Sequence, residues 1–515
     1  MVGIQERLPT SLKPRKYLSW PSGWALLVAL IVSNPAHAAI KLHDLISDGA
    51  VLQQGTTVPI WGTANDGESV TVKFQDQTVS TTAKGGRWLM KLKPLKPGGP
   101  FTMTITGENT VEVKDLLVGE VWVCSGQSNM EFRLKNDANA PAAIAAANDP
   151  LLRVITLGAN FQAEPQRDVT AQWVVCTPTN APTFTAVGYY FGRDLRKALN
   201  VPVGLIHSSV GGTPAQAWAS PAALRANPQF NDFFVGHENS ISNYFVALAK
   251  FNAAEPQLRE YWQAAVAQAK SAGKPEPRPP VEPPNPTNRG PGCLYNGMIA
   301  PLLPYAVRGV IWYQGESNVS NPLQYQTLFP TLIKDWRTAW GQGEFPFLFV
   351  QIAPFHTMTP ELREAQLLTW QKTPKTAMAV ITDCGEATNI HPKRKEPVGQ
   401  RLALAARAIA YGETFEYSGP IYESMKVNGN QIVLNFQHTG TGLIAKDGDL
   451  RGFTIAGANK TFTNATAKIE GVQVVVSSPA VAQPVAVRYG WTNVPDVNLY
   501  NKEGLPASPF RTDLP

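Results

Sequence analysis

Apolar and polar positions change rhythm twice along this chain. From about Ile40 to Lys114, short stretches at 58–62, 70–74, 88–92 and 101–105 alternate or run apolar between Gly, Pro, Asn and Asp turns. Strands punctuated at that spacing predict an all-β sandwich region over 39–114. Between about Asp115 and Tyr411 the texture differs. Unbroken apolar runs at 120–124, 152–157, 203–209, 307–313, 346–352 and 377–383 read as strands, and amphipathic stretches at 187–199, 322–336 and 398–410 read as helices. Strands that are apolar on both faces, alternating with such helices, predict an α/β domain over 115–411 whose parallel sheet is covered on both sides. After about Gly412 strands return, for instance at 431–434 and 472–476, so 412–515 is a second β region, able to pack with the first into one accessory unit.

One stretch interrupts the α/β rhythm. Residues 221–292 form an insertion in which Leu258, Tyr261, Trp262, Ala265 and Val266 fall on one face of a helix. Seven of the twelve residues from Pro275 to Pro286 are proline, the composition of an extended polyproline II spacer at the surface.

The amino terminus reads as a targeting segment. Arg15 and Lys16 precede an apolar stretch at 24–32, and Ala36-His37-Ala38 has the small-x-small pattern of a signal peptidase site. Cleavage after Ala38 is expected, giving an exported chain, periplasmic or secreted, with no membrane contact once the segment is removed. The stretch is shorter than the ~20 apolar residues a spanning helix needs. The segment also carries Arg7, Lys13, Arg15 and Lys16 against Glu6, so half of the formal charge of +6 leaves with it. The near-neutral remainder has no Lys/Arg cluster, which argues against nucleic acid as a partner. Cys124, Cys176, Cys293 and Cys384 show no C-x-x-C spacing, so neither a zinc nor a redox motif is expected. Cys124 and Cys384 end core strands and read as buried thiols, whereas Cys176 with Cys293 is a candidate bridge.

The chemistry gathers in four segments, each at or just after an apolar run: Gly126-Gln127-Ser128-Asn129-Met130, Ser208-Ser209-Val210-Gly211-Gly212-Thr213, Trp312-Tyr313-Gln314-Gly315-Glu316-Ser317-Asn318 and Asn389-Ile390-His391-Pro392. Active sites of open α/β sheets collect at the carboxyl ends of strands. Ser128 therefore reads as a nucleophile, which needs a base to take its proton. Of the seven histidines, His391 follows the last core strand, is followed by Pro392 and precedes a helix, so it can reach a neighbouring strand end; His207, inside a strand, reads as a core or edge group. A third group must orient the imidazole. Asp383 and Glu316 are equal candidates, with Glu386 behind them. Oxyanion donors are expected from the Ser128 N–H, from Gly211 or Gly212, and from the Gln314 amide. Trp218 and Asn318 are candidates for contacting the substrate.

These four segments, in order, resemble the blocks of the SGNH hydrolases, and more narrowly those of the sialate O-acetylesterase group and related bacterial carbohydrate acetylesterases. The likeness runs from about Leu42 into the tail, through Asn498-Leu499-Tyr500-Asn501 and Arg511-Thr512-Asp513. It implies a flavodoxin-like core sheet, a Ser–His site without metal or other cofactor, and hydrolysis of acetyl esters on oligo- or polysaccharides, either sialic acids or plant hemicellulose such as xyloglucan. It also implies Ser128 as nucleophile and His391 as base. The chain departs from the wider family at Gln127, where many members have Asp, and at Gln314, where many have Asn. It also lacks the Asp expected two or three residues before the His, since Thr388 and Asn389 stand there. A rival reading from another class is a catalytically silent glycan-binding protein. A lipase-like α/β-hydrolase would need Gly at the position of Met130.

Overall fold

The computed structural model describes residues 39–513, so the expected signal peptide lies outside the described residues. Its centre is a run of seven strands within an eleven-stranded sheet, numbered in chain order: β1 (Thr110–Gly126), β2 (Asp149–Thr156), β3 (Trp173–Cys176), β4 (Val203–Ser209), β5 (Gly309–Tyr313), β6 (Phe347–Val350) and β7 (Thr376–Ala379). They lie side by side as β3-β2-β4-β1-β5-β6-β7. All neighbours are parallel except β3, which runs antiparallel to β2. Taken alone, β4-β1-β5-β6-β7 follow a 2-1-3-4-5 order, whose direction of winding reverses between β1 and β5. Ligands of doubly wound sheets bind at the carboxyl ends of the strands flanking such a point.

The helices that matter for the site are α1 (Ser128–Glu131), α2 (Ala186–Leu199), α3 (Asn231–Ser271), α4 (Pro322–Trp340), α5 (Pro360–Lys372) and α6 (Glu396–Tyr411). Successive side chains of β1 point to opposite faces, as the pleat requires. Val121 and Val123 join the apolar cluster that holds Leu328, Trp336 and Leu362 of α4 and α5. Trp122 and Cys124 join the cluster that holds Val187, Phe191 and Leu402 of α2 and α6. That two-sided burial is why the strand sequence is apolar without alternation. Helix α2 starts where the Thr185 hydroxyl accepts the Gly188 N–H at 3.2 Å, and stops at Asn200 in the left-handed region, φ 52°.

The N-terminal β region is continuous with this sheet. Strand β1 is 17 residues long; its first half pairs with the antiparallel strand Gly98–Thr106, and its second half lies between β4 and β5. The expected boundary at 114/115 thus falls inside one strand. Glu120, fully buried in β1, accepts hydrogen bonds from Gln53, Gln54 and Tyr411 and pairs with Arg308 at 2.7 Å, tying the N-terminal loop, the sheet and α6 together.

The C-terminal region contains two four-stranded antiparallel sheets. Ile432, Leu434, Val474 and Val476 of one meet Phe453, Ile455, Val487 and Phe510 of the other in a separate apolar cluster. The N-terminal residues instead share a cluster with the central sheet. The tail region docks on α5: Arg511 pairs with Glu364 at 2.8 Å, and the buried Arg363 guanidinium donates to the carbonyls of Thr492 and Asn493.

The insertion contains α3, 41 residues long, of which only Phe234 is buried. Leu258 and Tyr261, on the shared helix face, are exposed. The proline-rich stretch has no regular secondary structure and folds back on the helix, with the Trp262 indole N–H donating to the Pro277 carbonyl at 2.9 Å. All four cysteines are buried free thiols, including Cys176 and Cys293, which form no bridge. Among the described residues no helix is long and apolar enough to cross a membrane.

Candidate active site

Strand β1 ends at Gly126, whose φ of 136° suits glycine and whose Cβ, if present, would collide with the Tyr313 carbonyl. That close approach lets the Gln127 N–H bond the Tyr313 carbonyl at 2.9 Å, and the chain then turns into the short α1. Ser128, its first residue, is half-buried and faces the loop between β7 and α6. There the Ser128 hydroxyl lies 2.8 Å from His391 Nε2. His391 is positioned by its own backbone N–H, which donates to the Asn389 side chain at 3.0 Å. Two residues 263 positions apart thus stand at proton-transfer distance.

Partial burial lowers the His391 pKa below its ordinary value, and the nearby Lys395 charge lowers it further, against an opposing pull from Glu131. A neutral imidazole is the form that accepts a proton.

Among the described residues no carboxylate hydrogen-bonds the other ring nitrogen, and both expected orienting acids are engaged elsewhere. Asp383 lies four residues beyond the end of β7, not at the strand end, and forms a two-pronged ion pair with Arg401 of α6, both contacts at 2.7 Å. Burial would raise its pKa, but the guanidinium outweighs it and holds the carboxyl below the usual range. Glu316 accepts from the Asn129 amide at 2.6 Å, and burial raises its pKa. Glu386 caps its own loop, accepting from Asn389 and from the Lys393 N–H.

The expected oxyanion donors divide similarly. Gly211 packs beside Ser128, where an added Cβ would sit 3.3 Å from the serine Cβ, but its N–H donates to Glu131 at 2.7 Å. Gly212 is exposed, and no acceptor takes its N–H among the described residues. Gln314 is corrected: it is fully buried, its amide hydrogens go to Asn318 at 2.8 Å and the Thr213 carbonyl at 3.3 Å, and its oxygen accepts from Tyr325. It braces the turn after β5 and presents no donor to a substrate. Asn318 is likewise structural, accepting from the Ala215 N–H and donating to Gln216. Trp218 is also corrected. It is fully buried edge-on to Trp312, with its indole N–H on the Thr213 hydroxyl, so no sugar can stack on it.

Strand residue His207 is buried and contacts Ser209 at 2.6 Å; burial, aided by Arg133, holds its pKa at about 4. This second Ser–His contact is closed to solvent.

Lys395 is the residue that the sequence did not single out. Within Lys393-Arg394-Lys395 it reads as part of a solvated basic run, yet it is fully buried, its ammonium donates to Asn129 Oδ1, and burial lowers its pKa to about 7. Only its spacing, four residues after His391, ties it to the site in sequence.

Beside Gly211 and Gly212 a cleft of about 340 Å³ opens toward the base of α3, lined by Phe161, Gln216, Phe233, His237 and Arg289 among others. The Arg289 guanidinium lies over the Phe161 ring at 4.4 Å, and no carboxylate pairs with it among the described residues.

A family model described as carbohydrate esterase, sialic acid-specific acetylesterase, matches residues 118–248 and 288–408. The unmatched stretch between them is the outer part of α3 and the proline-rich return. The chain is 30% identical over 552 residues to the sialate O-acetylesterase of Mus musculus, covering 95% of this chain and 97% of that protein. It is 30% identical over 545 residues to the sialate O-acetylesterase of Homo sapiens, covering 95% of each. The crystal structure of a carbohydrate acetylesterase from Xanthomonas citri superposes with a TM-score of 0.78 at 38% identity, over 92% of this chain and 99% of that one. Likeness of that extent, spanning both β regions as well as the central sheet, means that the chain belongs to the sialic acid-specific acetylesterase family and is a carbohydrate O-acetylesterase.

Proposed function

We propose that this enzyme is an SGNH-type serine esterase that removes O-acetyl groups from glycans through an acetyl-Ser128 intermediate. The observation that carries the reading is the 2.8 Å contact between the Ser128 hydroxyl and His391 Nε2. As Oγ attacks the acetyl carbonyl, Nε2 takes its proton. The negative charge then develops on the former carbonyl oxygen, where the Ser128 N–H, first in its helix and without an intrahelical acceptor, and the Gly212 N–H are the available donors. Collapse of the tetrahedral species breaks the bond to the sugar oxygen, which leaves with the proton from His391. Water, deprotonated by the same imidazole, then attacks the acetyl-enzyme, and acetate departs with Ser128 restored.

An acetyl group needs little room, so selectivity rests on the sugar side, in the cleft beyond Gly211 and Gly212. Phe161 and Phe233 supply apolar faces there and Gln216 and His237 supply polar contacts. Arg289, which no carboxylate pairs among the described residues, favours a sugar bearing a carboxylate, in keeping with the sialate named in the mammalian relatives. Acetylated hemicellulose is the alternative. The test is acetate release from O-acetylated sialoglycans, xyloglucan and xylan, combined with rapid acid quench and peptide mass analysis. A +42 Da adduct on the peptide containing Ser128 is expected during turnover. Turnover of a glycan without any adduct under conditions of slowed deacylation would overturn the covalent route.

The reaction also has a signed pH dependence. Catalysis needs His391 unprotonated, and its pKa is lowered by burial and by Lys395. The acid limb of kcat/KM is therefore expected to have its midpoint below 6.5, the ordinary histidine value, so that rate is retained at pH 6.5 and lost at lower pH. A midpoint above 6.5 in a kcat/KM profile on an aryl acetate would contradict the assignment.

A further inference from the structure

Since no carboxylate hydrogen-bonds the His391 ring among the described residues, another feature is needed to hold it against Ser128. A single buried amide joins three of the four segments that build the site. Asn129, next to the nucleophile, accepts the Lys395 ammonium on Oδ1 and donates from Nδ2 both to Glu316 at 2.6 Å and to the Ile390 carbonyl at 3.0 Å. Ile390 immediately precedes His391, and Glu316 lies in the turn after β5. We propose that Lys395 and Glu316, joined through the Asn129 amide, are the positioning residues that keep Ser128 and His391 in register, in the place usually taken by an acid on the imidazole. The inference rests on Ser128 and His391 being nucleophile and base.

The chemistry of the three groups supports the assignment. A fully buried ammonium and a buried carboxylate are costly unless each meets the other or a hydrogen-bonding partner. Here they compensate each other across one amide. Positive charge on the amide oxygen and negative charge on its N–H group polarise it in the same sense, which strengthens both bonds. The arrangement is also anchored at its far end: the Lys395 N–H donates to Asp137 at 3.0 Å, whose other oxygen accepts from Tyr190. The rings of Phe132 and Tyr313 cover the ammonium at 4.9 and 5.3 Å. Loop 391–395 is therefore fixed at both ends, and the imidazole with it. Glu316, Asp137, Glu386 and Cys384 face Lys395 electrostatically, whereas Lys395 and Glu131 face His391. The lysine thus does more than brace the loop, because its charge makes the imidazole a weaker base.

The test is steady-state kinetics of the full-length enzyme from pH 5 to 9 on an aryl acetate and an acetylated glycan. Lys395→Met is expected to lower kcat about 100-fold with KM nearly unchanged, the scale of a misplaced reacting pair. It is also expected to move the acid limb of kcat/KM to higher pH, because the cation that depresses the imidazole is gone. Lys395→Arg keeps the charge and leaves that limb in place. A residue that only stabilised the fold would leave the limb unmoved in both variants. Glu316→Gln lowers kcat at constant KM, and the double variant Lys395→Met/Glu316→Gln is no worse than the weaker single one, since the two act as a unit. Wild-type kcat and an unshifted acid limb in Lys395→Met overturn the proposal; should that variant fail to fold, wild-type kcat in Glu316→Gln does so. Ser128→Ala run alongside separates the two levels. Full activity in that variant removes the nucleophile assignment itself, whereas an inactive Ser128→Ala beside indifferent Lys395 and Glu316 variants removes only the positioning role.

Discussion

Ser128→Ala is expected to lower kcat for acetate release by about 10⁴–10⁶-fold, the range seen when a serine nucleophile is removed from its site. The substitution deletes one oxygen at a half-buried position and leaves the strand, the turn at Gly126 and the Asn129 contacts in place, so the melting temperature should hardly move. What activity remains comes from the backbone donors and from binding, which in such enzymes still exceed the uncatalysed rate by about 10³-fold. The measurement is acetate production by coupled assay, with thermal melts of both proteins as control. A kcat within tenfold of wild type at an unchanged melting temperature would remove Ser128 from the mechanism.

The second large effect falls on stability. Trp218→Ala is expected to destabilise the fold by about 3–5 kcal/mol, the usual cost of truncating a buried aromatic side chain. The indole fills space against Trp312 at a ring-centre distance of 6.0 Å and donates to the Thr213 hydroxyl at 2.9 Å, while the Trp218 carbonyl accepts from the Trp336 indole at 2.7 Å. Truncation leaves a cavity in that group of tryptophans, next to the chain that carries Gly211 and Gly212. Urea denaturation reads the loss as a lower midpoint with an unchanged slope. An unchanged midpoint together with a raised KM for the glycan would instead mean that Trp218 meets the sugar.

How far the sequence speaks for the site depends on whether each residue acts through its place in the chain or through its neighbours in space. That Ser128 and His391 stand together was legible because each lies beyond a core strand, and the central strands were legible because burial on both faces leaves an uninterrupted apolar signature. The role of Gln314 was misread for the same reason that its segment was noticed. It sits at a strand end like the others, but Asn318, Thr213 and Tyr325 close over it, and nothing in the local pattern reveals that enclosure. Asp383 was misplaced because its partner, Arg401, lies on a later helix. Helix α5 was absent from the expected elements because Arg363, Glu364 and Gln366 are buried along with Leu362 and Ala365, so no apolar stripe marks it. Those polar side chains point inward because they bond the tail region and the turn after β5, contacts invisible from their own window. Lys395 is the extreme case: a charged residue in a basic run, buried by surroundings that arrive from elsewhere in the chain.

The single strand that leads to Ser128 starts out as a rung of the N-terminal region. Its first residues pair with Gly98–Thr106 and its last with the two strands flanking the serine. The catalytic fragment therefore has no natural seam on that side. Trimming the enzyme to a minimal hydrolase would strip hydrogen-bonding partners from the very beam that ends two residues before Ser128, and a smaller catalyst of this type is better sought by shortening the exposed outer part of α3.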